Sequence, residues 1–160
     1  MINGEYDFTS TSLLVFKSGS STNELRKNPA RRRDIVFRSV FLCPMHNSSF
    51  MGKAKLFKQN LYNESLKVSE DYDLFVRLLG EGYSIGNISQ PLVLYRQDYY
   101  SKRTGFLYFK SDLKIRWLML NYSHYRLLFP LLIISFIVPV VRLLPVRIFK
   151  PLLELRKKIL

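Results

Sequence analysis

At 160 residues the chain is the size of one ordinary domain, and a hydrophobic content of 48% excludes disorder as its general state. Its 25 Lys and Arg against 12 Asp and Glu give a formal net charge of +13, which points to a polyanionic neighbour: nucleic acid, an anionic membrane surface or a phosphorylated ligand. The single cysteine, Cys43, excludes an internal disulfide and fits a reducing compartment, and a zinc site built on it with His46 and His124 would need carboxylates to complete it.

In chain order, the start "MINGEYDFTSTS" carries neither a basic nor an apolar leader segment, so no signal peptide is expected. "YDFTSTSLLVF" alternates and reads as one or two short strands. "KSGSSTNELRKNPARRR" reads as a surface loop with a short helix near its end. "DIVFRSVFLC" is apolar and β-branched, and is assigned to a helix followed by a short strand into Pro44. "GKAKLFKQN" is a helix. An acidic helix begins at Glu70, "YSIGNI" and "PLVLYR" form two strands, and Gly80 and Gly82 stop the helix between. From about Phe106 the pattern turns helical and strongly apolar, placing a boundary near 101–105 between an α/β part, 1–100, and a C-terminal appendage, 101–160.

The charge is uneven. Residues 23–38 hold six basic and two acidic residues, and the tail 142–160 holds six basic residues and only Glu154. Acidic groups gather at 64–73. With Ser69 as N-cap, Leu74, Phe75, Leu78 and Leu79 define the apolar face of the acidic helix. Glu70, Asp73 and Arg77 lie opposite, where Asp73 and Arg77 pair at i,i+4 as surface electrostatics. Asp71 projects toward the apolar face. The first-turn N–H groups and the helix dipole favour its ionised form, so it is expected to be a low-pKa carboxylate at the rim of the core, either an inward-looking cap or a general base.

"HNSSFMGKAKLFKQNLYNESLKVSEDYDLFVRLLGEGYSIGNISQPLVLYR" resembles the second half of the catalytic domain of family 2 glycosyltransferases, the GT-A fold enzymes of bacterial polysaccharide assembly. The resemblance rests on Tyr62-Asn63-Glu64, Glu70-Asp71-Tyr72-Asp73-Leu74, Arg77, Gly82-Tyr83, Asn87-Ile88 and Leu92 to Arg96, in that order. It covers 44–96 well and 5–43 weakly. It implies an α/β fold, a partial GT-A-like sheet with flanking helices followed by apolar or amphipathic C-terminal helices. It also implies that Asp71 is the base that deprotonates an acceptor sugar hydroxyl in an inverting transfer, with Glu70 and Asp73 as supporting charges. His46, Asn47 and Arg96 are acceptor-pocket candidates, although a hydrogen-bonded loop histidine is the plainer reading of His46.

The family's nucleotide-binding half ends in an Asp-x-Asp-type motif that holds a divalent metal, Mg or Mn, against the diphosphate. No such motif precedes the acidic helix here. The expectation is therefore an acceptor-side half that binds a nucleotide-sugar donor poorly alone, holds no metal itself, and has a sheet with an open hydrophobic edge. Its partners would be the donor and a glycan or lipid-linked acceptor.

"RLLFPLLIISFIVPVVRLLPVRIFKPLLELRKKIL" has fifteen uncharged residues between Arg126 and Arg142, against about twenty for a single span. An interfacial helix or shallow re-entrant hairpin fits better, with Arg and Lys on anionic headgroups. The alternatives are a true span and an ordinary buried helix pair. "FLYFKSDLKIRWLMLNYSHYR" suits an interface helix leading into it. The basic loop has no stacking platform, so no nucleic acid is expected. Asn-x-Ser triplets at Asn47, Asn63, Asn87 and Asn121 would matter only in a secreted chain. The expected location is the cytoplasmic face of the bacterial plasma membrane, peripherally bound. The rival reading is a non-catalytic membrane-peripheral α/β protein whose acidic helix is purely structural.

Overall fold

The computed structural model describes residues 6–98, 103–145 and 147–148. The fold is mixed α/β. Strand β1, Phe8–Phe16, organises the sheet. It pairs in parallel along its whole length with β4, Ile85–Arg96. Its other edge is shared by two short antiparallel strands, β2 (Glu24–Arg26) near its C-terminal end and β3 (Met51–Gly52) at its start. Between them the edge of β1 is closed by side chains. Thr11 donates its N–H to Ser49 Oγ at 3.1 Å, and its carbonyl accepts from Ser49 Oγ at 3.2 Å and Asn28 Nδ2 at 3.1 Å. Buried backbone groups need such partners.

Several local expectations are corrected. "YDFTSTSLLVF" is a single strand. The polar loop contains β2, because Leu25 and its neighbours can add to the exposed edge at Leu14 whatever their polarity. Helix α1 covers Arg32–Ser39, and no strand follows it before Pro44. Helix α2 is Ala54–Gln59. The two strands expected at 83–96 are one, β4, interrupted by bulges: Thr11 faces Ile88, Ser12 faces Pro91 and Leu13 faces Val93. Pro91 lacks an N–H and sits where the ladder is already irregular. Among the described residues β4 pairs only with β1, and Leu92 and Leu94 near its end are exposed.

Helix α3, Glu70–Gly80, supplies the centre of the core with Leu74, Phe75, Leu78 and Leu79, as the spacing predicts. It ends in a Schellman motif: Tyr83 N–H reaches Leu78 O at 3.2 Å and Gly82 N–H reaches Leu79 O at 3.3 Å. Gly82 takes φ +89 there, while Gly80 is the last helical residue.

The core continues past residue 100. Helix α4 (Phe106–Met119) contributes Ile115 and Met119, α5 (Ser123–Arg126) contributes Tyr125, and α6 (Phe129–Ser135) contributes Leu132. Helix α7, Ile137–Val141, packs on α4. Tyr125 OH and Ser39 Oγ are 2.8 Å apart, and Tyr72 OH donates to the Ser39 carbonyl, so the end of α1 is bonded to both α3 and α5. Arg116 is fully buried, donating to Phe41 O at 3.0 Å, Asp112 O at 3.1 Å and Ser135 O at 3.3 Å, with its guanidinium over the Tyr72 ring. Among the described residues no helix is long and apolar enough to cross a membrane. The basic end of the tail, from 149, lies outside the described residues.

Candidate active site

The three acidic residues at the start of α3 have three different environments. Asp73 is buried, and Arg77 Nε donates to its Oδ2 at 2.9 Å while Nη2 holds the Leu61 carbonyl at 2.7 Å. The pair expected on the surface is thus a buried tie between α3 and the segment before it. A helical wheel predicts one buried face, but α3 is covered on a second side, where Tyr72, Asp73 and Val76 are buried too. Glu70 is half-buried at the first turn.

Asp71 is half-buried, and its Oδ1 accepts the N–H of Tyr72 at 2.8 Å. Ser69 stands at the cap position but in the left-handed region, φ 62, and makes no side-chain cap bond. Asp71 therefore supplies the carboxylate that a cap residue ordinarily provides. Its pKa is nonetheless raised rather than lowered. Burial is the largest cause, the bond from Tyr72 opposes it, and the neighbouring Glu70 charge adds to the rise. Desolvation outweighs the first-turn N–H groups here. A carboxylate with raised proton affinity is a better base than the low-pKa group expected from the dipole alone.

Residues from distant segments surround it. The Asp71 and Glu70 charges, after burial, hold the Tyr62 phenol above its usual range, and the Tyr62 hydroxyl donates to Asn47 Oδ1 at 3.3 Å. Burial, with Asp71 second, pushes the Cys43 thiol far up, so it is an inert, protonated wall residue. His46 is pushed down to about 4 by burial first and then by the Arg38 and Arg26 charges, and so is neutral at pH 7. Its N–H of the backbone donates to Ser10 Oγ at 3.2 Å, tying the 46–47 turn to β1. Arg38, lowered by burial, faces both Cys43 and His46. Arg103 acts electrostatically on Asp71, Cys43 and His46 alike.

Three buried polar atoms on this wall have no hydrogen-bond partner among the described residues: Arg38 Nε, His46 Nε2 and Asn87 Oδ1. Asn87 Nδ2 reaches the carbonyls of Pro29 at 2.7 Å and Pro44 at 3.4 Å, which places the side chain beside the segment leading to His46. Unpaired buried polar atoms are costly, and those of Arg38 and His46 are free to take a polar ligand.

The structure thus brings together Asp71, Glu70, His46 and Asn47 through Tyr62, Cys43 and Arg38. It leaves Arg96 elsewhere. Arg96 pairs in register with Phe16 and lies 3.4 Å from Asp98, whereas Asn87 pairs with Ser10, so six residues of β1, about 20 Å, separate it from the cleft. The sequence pattern does not single out Arg38 or Arg103, and it offers Cys43 only as a lone thiol. Tyr62 stands in the sequence as a marker of the resemblance, and the tertiary fold brings it to Asn47 and Asp71.

Asp73 is engaged by Arg77, Glu70 and Asp71 are chain neighbours, and among the described residues no group of three His, Cys, Asp or Glu side chains could hold a metal ion. The chain matches no protein-family model, no curated protein and no solved structure.

Proposed function

We propose that this chain supplies the acceptor side of an inverting glycosyl transfer, with Asp71 as the general base. The observation that carries the reading is the placement of Asp71: a half-buried carboxylate of raised proton affinity, opening α3 within electrostatic reach of Tyr62, Cys43 and Arg103. The acceptor sugar hydroxyl would donate to Asp71, its oxygen would attack the anomeric carbon of a nucleotide-sugar donor, and the nucleoside diphosphate would leave from the opposite face with the bonding electrons. Asp71 retains the proton. The Tyr62 oxygen, whose hydrogen goes to Asn47 Oδ1, and the neutral His46 ring suit the orientation of a polyhydroxyl acceptor. Arg38 and Arg103 suit the negative charge that such a step develops.

The acceptor is proposed to be lipid-linked and the protein peripheral at the cytoplasmic face of a bacterial plasma membrane. Support comes from α6 and α7, which are apolar on both sides. They bury Leu132, Ser135 and Pro139 and expose Phe129, Ile133, Ile134, Ile137 and Val140. A stripe of this kind marks a protein or membrane interaction surface. Its neighbour Trp117 is also exposed and meets Phe136 edge-on at 6.0 Å.

The non-catalytic alternative is favoured by one observation, that Asp73 is buried in an ion pair with Arg77; it would extend that structural role to Asp71. Membranes from cells carrying Asp71→Asn in the chromosomal copy, supplied with labelled nucleotide sugars, separate the two. Loss of label from the lipid-extractable fraction at unchanged protein level is expected, and undiminished transfer would sink the base assignment.

A further inference from the structure

A groove of about 720 Å³ lies between α1 and α5. Its lining combines apolar Phe37, Leu127 and Leu128 with His124 and with Arg32 and Arg33 against the carboxylate of Asp34. It lies at the far end of α3 from Asp71. Arg32 Nη1 donates to the Tyr83 carbonyl at 2.9 Å, just beyond the α3 C-terminus, and α3 is 11 residues long, about 16 Å. A ligand here is not the one that reacts.

Two features decide its chemistry. The lining has an excess of cationic charge, and the Arg33 side chain is 92% exposed with Asp34 at 3.8 Å as its ion-pair partner among the described residues. The apolar lining runs without a break in the chain from Leu127 and Leu128 into the exposed stripe of α6, and Leu127 is itself 83% exposed. A free phosphate or sugar phosphate would use the arginines and gain nothing from Phe37 or Leu127. A phospholipid uses both. Building on the peripheral-membrane reading above, we propose that the α1–α5 groove binds the phosphate headgroup of an anionic membrane phospholipid. Arg33 and Arg32 meet the phosphate, and Phe37, Leu127 and Leu128 take the first carbons of the chains. Such a contact would fix which face of the molecule lies on the bilayer and turn the α3 N-terminus away from it by one helix length.

The test is flotation of the full chain with vesicles of phosphatidylcholine alone or mixed with phosphatidylglycerol. Wild-type protein should favour the mixed vesicles, and Arg33→Gln should lower that preference about fivefold, Arg32→Gln adding a similar factor, as expected for one basic residue near an anionic surface. Binding to pure phosphatidylcholine should not change. Arg33→Gln is the safer variant, since Arg33 makes no side-chain hydrogen bond among the described residues, whereas Arg32 holds Tyr83. Ile133→Ser with Ile137→Ser should weaken binding to both vesicle types while sparing the preference. An undiminished preference in the double arginine variant would overturn the groove. If wild-type protein bound neither vesicle, the membrane reading would fall, and the groove would be judged by titration with dihexanoyl phosphatidylglycerol below its micellar concentration. Chemical-shift changes at His124 and Leu127 that Arg33→Gln abolishes would uphold it, and their absence would overturn it. Glycerol phosphate competing as well as the lipid would also overturn it, by showing a phosphate site without lipid selectivity.

Discussion

Arg142 donates its Nε hydrogen to Asp112 Oδ2 at 3.0 Å, and the same guanidinium holds the Arg103 carbonyl at 2.8 Å through Nη1. Asp112 is almost wholly buried and has Arg116 as its second cationic neighbour, 3.9 Å from Oδ1. One carboxylate therefore balances two arginines, and through Arg142 it anchors the segment that carries Arg103 beside Asp71. Asp112→Ala leaves Arg116 buried without its counter-charge, which costs about 3–5 kcal/mol. The expected result is a large fall in the urea midpoint at unchanged slope. A variant within 1 kcal/mol of wild type would show that Arg116 is balanced by its carbonyl partners alone.

Asp71→Asn should stabilise the chain at neutral pH. Burial raises the Asp71 pKa above its ordinary value of 3.8, so the folded state holds its proton more tightly than the unfolded state. Stability from this group is fully present below the unfolded pKa and is lost as pH rises through the folded one. Asparagine keeps the oxygen that accepts from Tyr72 and removes the ionisation. The melting temperature of the variant should exceed that of wild type at pH 7, and the difference should shrink toward zero near pH 3. Stabilisation combined with lost transfer is the signature of a group kept for function. A variant less stable than wild type at pH 7 would assign Asp71 a structural role instead.

Gly80→Ala tests how α5 docks on α3. Alanine ordinarily improves a helix over glycine by about 1 kcal/mol. Here a Cβ would fall 2.5 Å from the Tyr122 ring. Displacing that ring from its seat should cost about 1–3 kcal/mol, so the net effect is destabilisation. Adding Tyr122→Ala should make Gly80→Ala favourable in that background, and the double-mutant cycle in urea reads the reversal directly. Additivity of the two changes would mean that α5 shifts freely.

Much of α3 was legible because its apolar residues recur at helical spacing and Gly82 supplies the φ its C-terminus requires. Asp71 stood apart for the same reason. Other features depend on contacts that no local pattern encodes. β2 is a three-residue polar edge strand created by its pairing with Leu13 to Val15. β4 looked like two strands because Pro91 breaks the pattern, although bulges carry the ladder past it. The tie of Asp73 through Arg77 depends on the Leu61 carbonyl reaching that guanidinium, and the burial of Asp112 and Arg116 on α7 returning to α4. The direction of the Asp71 pKa belongs to the same class: the first-turn dipole is local and readable, whereas the burial that outweighs it comes from chain far away in sequence.

Ser69 provides the last test, because its backbone is strained where the sequence suggested an ordinary cap. At φ 62 and ψ 25 it occupies the left-handed region, and its side chain makes no cap bond. That conformation costs a non-glycine residue about 1–2 kcal/mol, and glycine removes the cost while losing about 0.5–1 kcal/mol of backbone entropy on folding. Ser69→Gly should therefore stabilise the chain by about 0.5 kcal/mol, with Ser69→Val destabilising it by more than that. Strain held next to a candidate base is a feature that function explains better than stability does. If the left-handed turn sets the aim of Asp71, Ser69→Gly should preserve transfer, while Ser69→Pro, whose φ is fixed near −65°, should abolish it even where the fold survives by circular dichroism. Full activity in a folded Ser69→Pro protein would separate the turn from the chemistry.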